Sequence, residues 1–180
     1  MEGNLRTTAM DIMPHKDMKK ALELAQSLDI PFFPQPPNIS FYEDMYAQGS
    51  ANFPRIALDV AKEKISFNHA RFQEELDRYF EFMGEDETFR LRPPYSIVYH
   101  SFLERGLSRY HAVRGQVTGP VSFGFRVFDE ELKLIIYNDE VRAILFDFIR
   151  RKVNTMLHEL RDKNENAFVW IDEPELGWVF

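Results

Sequence analysis

The chain has 180 residues, of which 44% are hydrophobic and 28% are charged, and its formal net charge is −7. This length suits one domain with a substantial core, whereas the acidic balance disfavours partners that need clustered positive charge, namely nucleic acids and anionic membranes. The absence of Cys excludes disulfides and thiolate chemistry, and without a signal peptide or an apolar run of ~20 residues we expect a cytoplasmic protein.

The first elements in chain order are short apolar runs around one amphipathic segment. Residues 7–13 are largely apolar and predict a buried strand. Residues 16–28 predict a helix, because small and apolar residues recur on one helical face. Residues 30–33 predict a second short strand, which runs into three prolines within residues 34–37.

An excursion from the main fold is predicted at about residues 36–67. Two short strands are expected near its end, at 55–59 and 64–67. A helix is then predicted over 68–83, because Asn68 suits an N-cap, one stripe of the segment is apolar, and Gly84 closes it.

The second half of the chain predicts two helices and two strands. A helix over 96–105 precedes a strand over 113–118, after which Gly119-Pro120 turns the chain sharply. The longest helix is predicted over 139–160 from its apolar period, and a last strand follows at 167–171.

Two groups of side chains bear on packing. The 17 Phe predict a core rich in aromatic rings, since aromatic residues dominate core burial. The basic residues 150–152 lie inside the long predicted helix and are interpreted as a solvated face rather than a phosphate site.

Short apolar strands that alternate with amphipathic helices predict an α/β fold with a parallel sheet and outer helices. A doubly wound sheet and a (β/α) barrel both satisfy this pattern. A complete barrel takes ~250 residues. We therefore expect residues 1–180 to form one partial barrel domain, roughly its first half.

Candidate functional residues follow three predicted strands, where α/β proteins place their sites. Asp172 and Glu173 are carboxylates that suit a substrate ammonium or proton transfer, or else hydrogen bonds in the turn before Pro174. Gly119 allows close approach of a ligand and Ser122 can donate a hydrogen bond, although a Gly-Pro pair alone is more often only a turn.

Three further residues are candidates for the same pocket. His15 suits an acid, a base, a metal ligand or a structural role. The prolines around Gln35 fit a polyproline II ligand or, as we favour, a loop at a barrel rim, and Glu43 follows as a polar group that can reach a pocket. The five His are dispersed, so we expect no metal and no cofactor in this chain.

Two segments carry a resemblance to a known family. Residues 113–122 (VRGQVTGPVS) and 170–176 (WIDEPEL) resemble cobalamin-independent methionine synthases, within the wider group that includes uroporphyrinogen decarboxylase. Residues 29–48 resemble a methionine-synthase-like branch. The resemblance covers nearly the whole chain but only the first half of such a catalytic domain, and it implies a (β/α)8 TIM barrel.

The resemblance also implies a chemistry. In such enzymes a methyl group passes to a zinc-bound homocysteine thiolate, and Asp172 would stand where they hold the homocysteine amino group. The sequence departs from the family at Asp11-Ile12, where a Gly-Ser pair is usual. The family's zinc ligands come from the second half of the barrel, so zinc is expected only in a complete family member.

Two functions are therefore expected. The first is the N-terminal portion of a methionine-synthase-like methyltransferase domain, with part of a pocket for a small amino-acid-like substrate and no activity alone. The alternative is a non-catalytic binding or interaction module built on a half-barrel, which self-associates or pairs with another chain. A corrinoid-linked or decarboxylase-like enzyme is disfavoured, because no Arg cluster stands at the strand ends.

Overall fold

The computed structural model describes residues 5–82, 86–95 and 97–178. Within these ranges the α-helices are α1 (Met18–Gln26), α2 (Met45–Ser50), α3 (Phe72–Phe82), α4 (Ile97–Leu103), α5 (Pro120–Arg126) and α6 (Asp139–Arg161). The strands are β1 (Ile56–Asp59), β2 (Lys64–Phe67), β3 (Arg114–Thr118) and β4 (Phe168–Asp172). The predicted α/β class is confirmed. No helix of the described part is long and apolar enough to cross a membrane.

The four strands form two small sheets. Strands β1 and β2 pair antiparallel, with Ile56 opposite Phe67, and confirm the two strands predicted near the end of the excursion. Strands β3 and β4 pair parallel, with Arg114 opposite Phe168 and Thr118 opposite Asp172. The two strands predicted at 113–118 and 167–171 are thus confirmed within one residue.

Two isolated bridges continue the parallel pairing beyond β3. Phe32 is bridged to Arg114 and Ile12 to Gln35, both in parallel. The strands predicted at 7–13 and 30–33 are wrong as regular strands, because each is reduced to bridging residues. Prolines at four of the seven positions 31–37 supply no N–H, so a continuous ladder cannot form there. The barrel itself stays a prediction.

Helices α1, α3, α4 and α6 match the predicted helices, although the expected boundaries at Ser96 and Gly84 lie outside the described residues. Helices α2 and α5 were not predicted. Asp44 caps α2, since its side chain accepts from the N–H groups of Tyr46 and Ala47. Helix α5 begins at Pro120, where the lost N–H would be unpaired in any case.

The core is built around Phe53. Its ring centroid lies 5.2 Å from that of Phe148 on α6, 6.1 Å from Phe72 and 6.4 Å from Phe123. The ring of Phe67 in β2 is 6.3 Å away. The predicted aromatic core is confirmed, and its central ring comes from the excursion at 36–67.

Candidate functional site

The two faces of the β3–β4 pair differ in chemistry. Gly115 faces α6, and a Cβ at this position would stand 2.7 Å from Met156 Sδ and 2.8 Å from Leu160 Cδ1. Since successive strand residues point to opposite faces, Arg114, Gln116 and Thr118 line the other face. That face is polar, and all three side chains are fully buried.

A chain of side-chain contacts crosses this polar face. The guanidinium of Arg114 forms an ion pair with Asp11 and donates to the carbonyl of Ala9. It also donates from Nη1 to Gln116 Oε1 at 3.2 Å. Gln116 Nε2 in turn donates to Asp172 Oδ2 at 3.2 Å. Side-chain contacts therefore link Asp11, through Arg114 and Gln116 of β3, to Asp172 at the end of β4.

An aromatic ring covers the charged centre of this chain. The guanidinium carbon of Arg114 lies 3.8 Å from the ring centroid of Trp170, which is two residues before Asp172 on β4. A second ring, that of Phe32, lies 5.2 Å away. Such stacking holds the guanidinium in one plane and shields it from solvent. Arg114 is thus a buried residue that holds the side chains of Asp11 and Gln116 in place.

Several buried polar atoms in this region have no hydrogen-bond partner within the described protein. They are Asp11 Oδ2, Arg114 Nε, Gln35 Oε1 and Thr118 Oγ1. Buried polar atoms are normally paired, so each such atom asks for an explanation. Their concentration along neighbouring segments indicates a place where a polar ligand group can bind.

The end of β4 carries concentrated negative charge. Burial raises the pKa of Asp172 above its usual range, the charges of Glu175 and Glu173 raise it further, and Arg114 opposes them. A cation beside Asp172 relieves this repulsion. The local field therefore favours an ammonium group over a carboxylate at this point.

At the other end of this set of side-chain contacts, burial raises the pKa of Asp11 well above its usual range, and the charge of Arg114 opposes that shift. The ion pair therefore offsets part of the desolvation cost of the buried Asp11 carboxylate.

Glu173 is engaged with the backbone of α5. Its carboxylate accepts from Val121 N at 3.1 Å and from Ser122 N at 2.6 Å. A Cβ at Gly119 would lie 2.0 Å from Glu173 Cδ, so only Gly permits this approach. The predicted candidates Glu173 and Gly119 are brought together, and their contact packs the end of β4 against the start of α5.

Ser122 fastens the segment after β4. Its Oγ accepts from the backbone N–H of Glu175 at 3.1 Å. The Glu175 carboxylate accepts from the hydroxyl of Tyr46 at 2.8 Å, which ties this segment to α2. Ser122 therefore already uses its oxygen as an acceptor within the protein.

Gln35 and Glu43 belong to a second buried chain. Gln35 Nε2 donates to Gln48 Oε1 at 2.8 Å, and Gln48 Nε2 donates to Glu43 Oε2 at 3.2 Å. Glu43 Oε1 accepts from Val98 N at 3.1 Å, and burial raises the pKa of this carboxyl. Gln35, Gln48 and Gln116 line one cavity of about 10 Å³, about the size of one water molecule. The cavity therefore borders both sets of hydrogen-bonded side chains, the one from Asp11 to Asp172 and the one from Gln35 to Glu43.

Lys152 also lines this cavity. The interpretation of residues 150–152 as a solvated face is wrong for Lys152, which is 4% exposed. Its Nζ donates to the carbonyl of Gln48 at 3.2 Å, and burial lowers the pKa of the amine to about 7. On α6 the residue falls between Phe148 and Met156 on the apolar stripe, and that spacing was the signal for its burial.

His15 is not joined to the other candidates. Its Nδ1 is buried without a hydrogen-bond partner in the described chain. Within the described residues, no group of three or more His, Asp or Glu could hold a metal ion. The geometry therefore gives His15 no defined role.

Sequence reasoning missed Asp11, Gln116 and Trp170. The signal for Gln116 was the alternation of Arg114, Gln116 and Thr118 at a period of two, which predicts one polar face on a strand. For Trp170 it was the same spacing before Asp172. No local pattern marks Asp11, because its partner Arg114 is distant in the sequence.

Comparison with known proteins finds no family model, no curated protein and no solved structure that matches this chain.

Proposed function

We propose that this chain is the N-terminal portion of a methionine-synthase-like methyltransferase domain of the (β/α)8 barrel type. It contributes part of the pocket for a small amino-acid-like substrate and does not transfer methyl groups alone. Asp172 accepts the substrate ammonium group at the end of β4.

One observation carries the proposal: the carboxylate of Asp172 stands at the end of an ordered parallel array. Ile12, Gln35, β3 and β4 are bridged in chain order and in one direction. Parallel segments with a helix on one face and polar side chains on the other are the arrangement in which α/β proteins build sites at strand ends. The order of segments and the placement of Asp172 agree with the sequence resemblance.

The surroundings of Asp172 support an ammonium ligand. Gln116 fixes one carboxylate oxygen, while Glu173 and Glu175 add negative charge nearby. No described residue donates a hydrogen bond to the other oxygen, Oδ1, and the side chain is only partly buried, so this oxygen can accept from a ligand. A carboxylate held in this way is a directional acceptor for an N–H donor.

The methyl-transfer chemistry of the family needs zinc, and the residues of this chain do not fit that metal. The sequence has no Cys, and the described residues contain no cluster of His, Asp and Glu of the required size. No step of the reaction is therefore assigned to this chain beyond binding and orienting the substrate.

Isothermal titration calorimetry of the chain with homocysteine and methionine tests this proposal. We expect weak binding that Asp172→Asn reduces at least about tenfold, because a charge-assisted hydrogen bond is lost. Asp77→Asn, on the exposed side of α3, is the matched control and should leave binding unchanged.

The same titration with a substrate analogue that lacks the amino group should show no difference between the protein and Asp172→Asn. Turnover by the isolated chain in a methyl-transfer assay would contradict the proposal, as would amino-acid binding that is indifferent to Asp172.

A further inference from the structure

The small cavity beside Lys152 is bordered by polar residues from four segments of the chain. Gln35 lies in the proline-rich segment, Gln48 on α2, Gln116 on β3, and Lys152 and Glu159 on α6. Its volume of about 10 Å³ is close to that of one water molecule, so a ligand of several non-hydrogen atoms does not fit. The polar groups on its wall therefore decide what can occupy it.

Three of these five polar residues already have partners. In Gln48 and Gln116, both the oxygen and the nitrogen of the side-chain amide are used by the hydrogen bonds described above. The carboxylate of Glu159 accepts from the hydroxyl of Tyr99 at 3.0 Å and pairs with Arg90 at 3.5 Å. Two polar residues of the wall remain.

The side chain of Gln35 presents an acceptor without a donor. A carboxylate only accepts, so the Gln48 amide turns its nitrogen towards Glu43 and its oxygen towards Gln35. Gln35 must then donate from Nε2, which leaves Oε1 buried and without a hydrogen-bond partner among the described residues. The carboxylate of Glu43 therefore fixes which atom of Gln35 is left free.

The amine of Lys152 presents a donor without an acceptor. Its Nζ donates to Gln48 O at 3.2 Å, and the ring centroid of Phe148 lies 5.2 Å away. An amine carries at least two N–H groups in either charge state, so one N–H remains for another acceptor. Burial alone lowers its pKa, since no carboxylate of the described residues opposes the shift. The amine is thus short of polar contacts.

The two groups are complementary, although the described structure contains no direct hydrogen bond between them. A molecule that satisfies both must accept from the amine and donate to the amide oxygen. A metal ion cannot accept from an N–H group, and a halide cannot donate to an oxygen. An apolar occupant would leave both groups unpaired, which is costly inside a protein. Water does both and fits the space.

We propose that this cavity binds one water molecule, which accepts from Lys152 Nζ and donates to Gln35 Oε1. The water links α6 to residues 31–37, where prolines without N–H groups limit the backbone pairing. It also gives the amine a second polar contact besides Gln48 O. The site is separate from the ligand proposed for Asp172 and does not depend on it.

Magnetic relaxation dispersion of the water oxygen nuclei counts the long-lived internal waters of a protein in solution and tests this proposal. Lys152→Met should hold one such water fewer than the unmodified protein, because a thioether supplies no N–H group to the cavity. Lys19→Met, at an exposed Lys on α1, is the matched control and should leave the number unchanged.

High-resolution crystallography of the unmodified protein locates the water, and it decides the matter if Lys152→Met does not fold. We expect one oxygen within hydrogen-bond distance of both Lys152 Nζ and Gln35 Oε1. A cavity without electron density, or density that contacts neither group, overturns the proposal. Equal numbers of long-lived waters in the protein and in folded Lys152→Met overturn it as well.

Discussion

The amide of Gln116 donates to Asp172 while its oxygen accepts from Arg114, each across 3.2 Å. An amide can do both at once, so Gln116 couples the buried cation to the carboxylate at the strand end. The orientation of the Asp172 carboxylate thus depends on Gln116.

Removal of this amide should be costly. Gln116→Met leaves Arg114 Nη1 and Asp172 Oδ2 without their partner, and we expect a loss of about 1–2 kcal/mol in the free energy of unfolding, measured in urea. Gln73→Met, at an exposed Gln on α3, should change it by less than about 0.5 kcal/mol. Equal losses in the two variants would contradict the coupling.

The buried ion pair predicts a strongly non-additive pair of variants. Arg114→Met strands the buried carboxylate of Asp11 and should cost about 3–5 kcal/mol. Asp11→Asn in that background should recover a large part of the loss, because the uncompensated charge is gone. Denaturant unfolding of the single and double variants measures this, and simple additivity would show that the pair is energetically independent.

The contact between Gly119 and Glu173 predicts a second coupled pair. Gly119→Ala should destabilise the protein by about 1–3 kcal/mol, because the new methyl group displaces the Glu173 carboxylate from the start of α5. In a Glu173→Ala background the same change should cost about 1 kcal/mol less.

Gly106→Ala provides the control for Gly119→Ala. A Cβ at Gly106 meets no atom within 4 Å and the residue has a φ of −71°. The thermal unfolding temperature of Gly106→Ala should therefore be unchanged or slightly higher. A loss at Gly106 equal to that at Gly119 would remove the steric explanation.

Lys152 predicts a dependence of stability on pH. Burial lowers its pKa to about 7 from its usual 10.5, so between these values the unfolded chain binds more protons than the folded one. The free energy of unfolding should therefore rise as the pH rises from about 7 towards about 10. It should be lowest below about 7, where Lys152 is charged in the folded protein.

Lys152→Met should remove this slope and raise stability at pH 7 by on the order of 2 kcal/mol, since Gln48 O keeps its contact from Ala51 N. Urea unfolding at neutral and alkaline pH measures the slope. Lys19→Met, at an exposed Lys on α1, should keep it. An unchanged slope in Lys152→Met would contradict the assignment.

The elements predicted from periodicity were the long and regular ones. Helix α6 and strands β3 and β4 were anticipated, because a sustained apolar period leaves few alternatives. Apolar content alone predicts strands over residues 7–13 and 30–33. Their pairing is confined to bridges by prolines whose missing N–H groups periodicity does not register.

The candidate site was anticipated at Asp172, but its support was not. Arg114 and Lys152 are charged residues at buried positions, and sequence patterns count charge as exposure unless a neighbour is known. Asp11 and Arg114 lie about a hundred residues apart in the chain, so their ion pair could not be foreseen from local spacing.

The position of Phe53 has a consequence for cooperativity. The excursion at 36–67 supplies the ring that joins β2, α3, α5 and α6. The segment around Phe53 therefore cannot open as an independent foldon, and the hydrogen-bonded backbone amide of Phe53 should exchange with solvent deuterium only when the core opens. A deletion of this segment would remove the central ring of the core rather than a peripheral insertion.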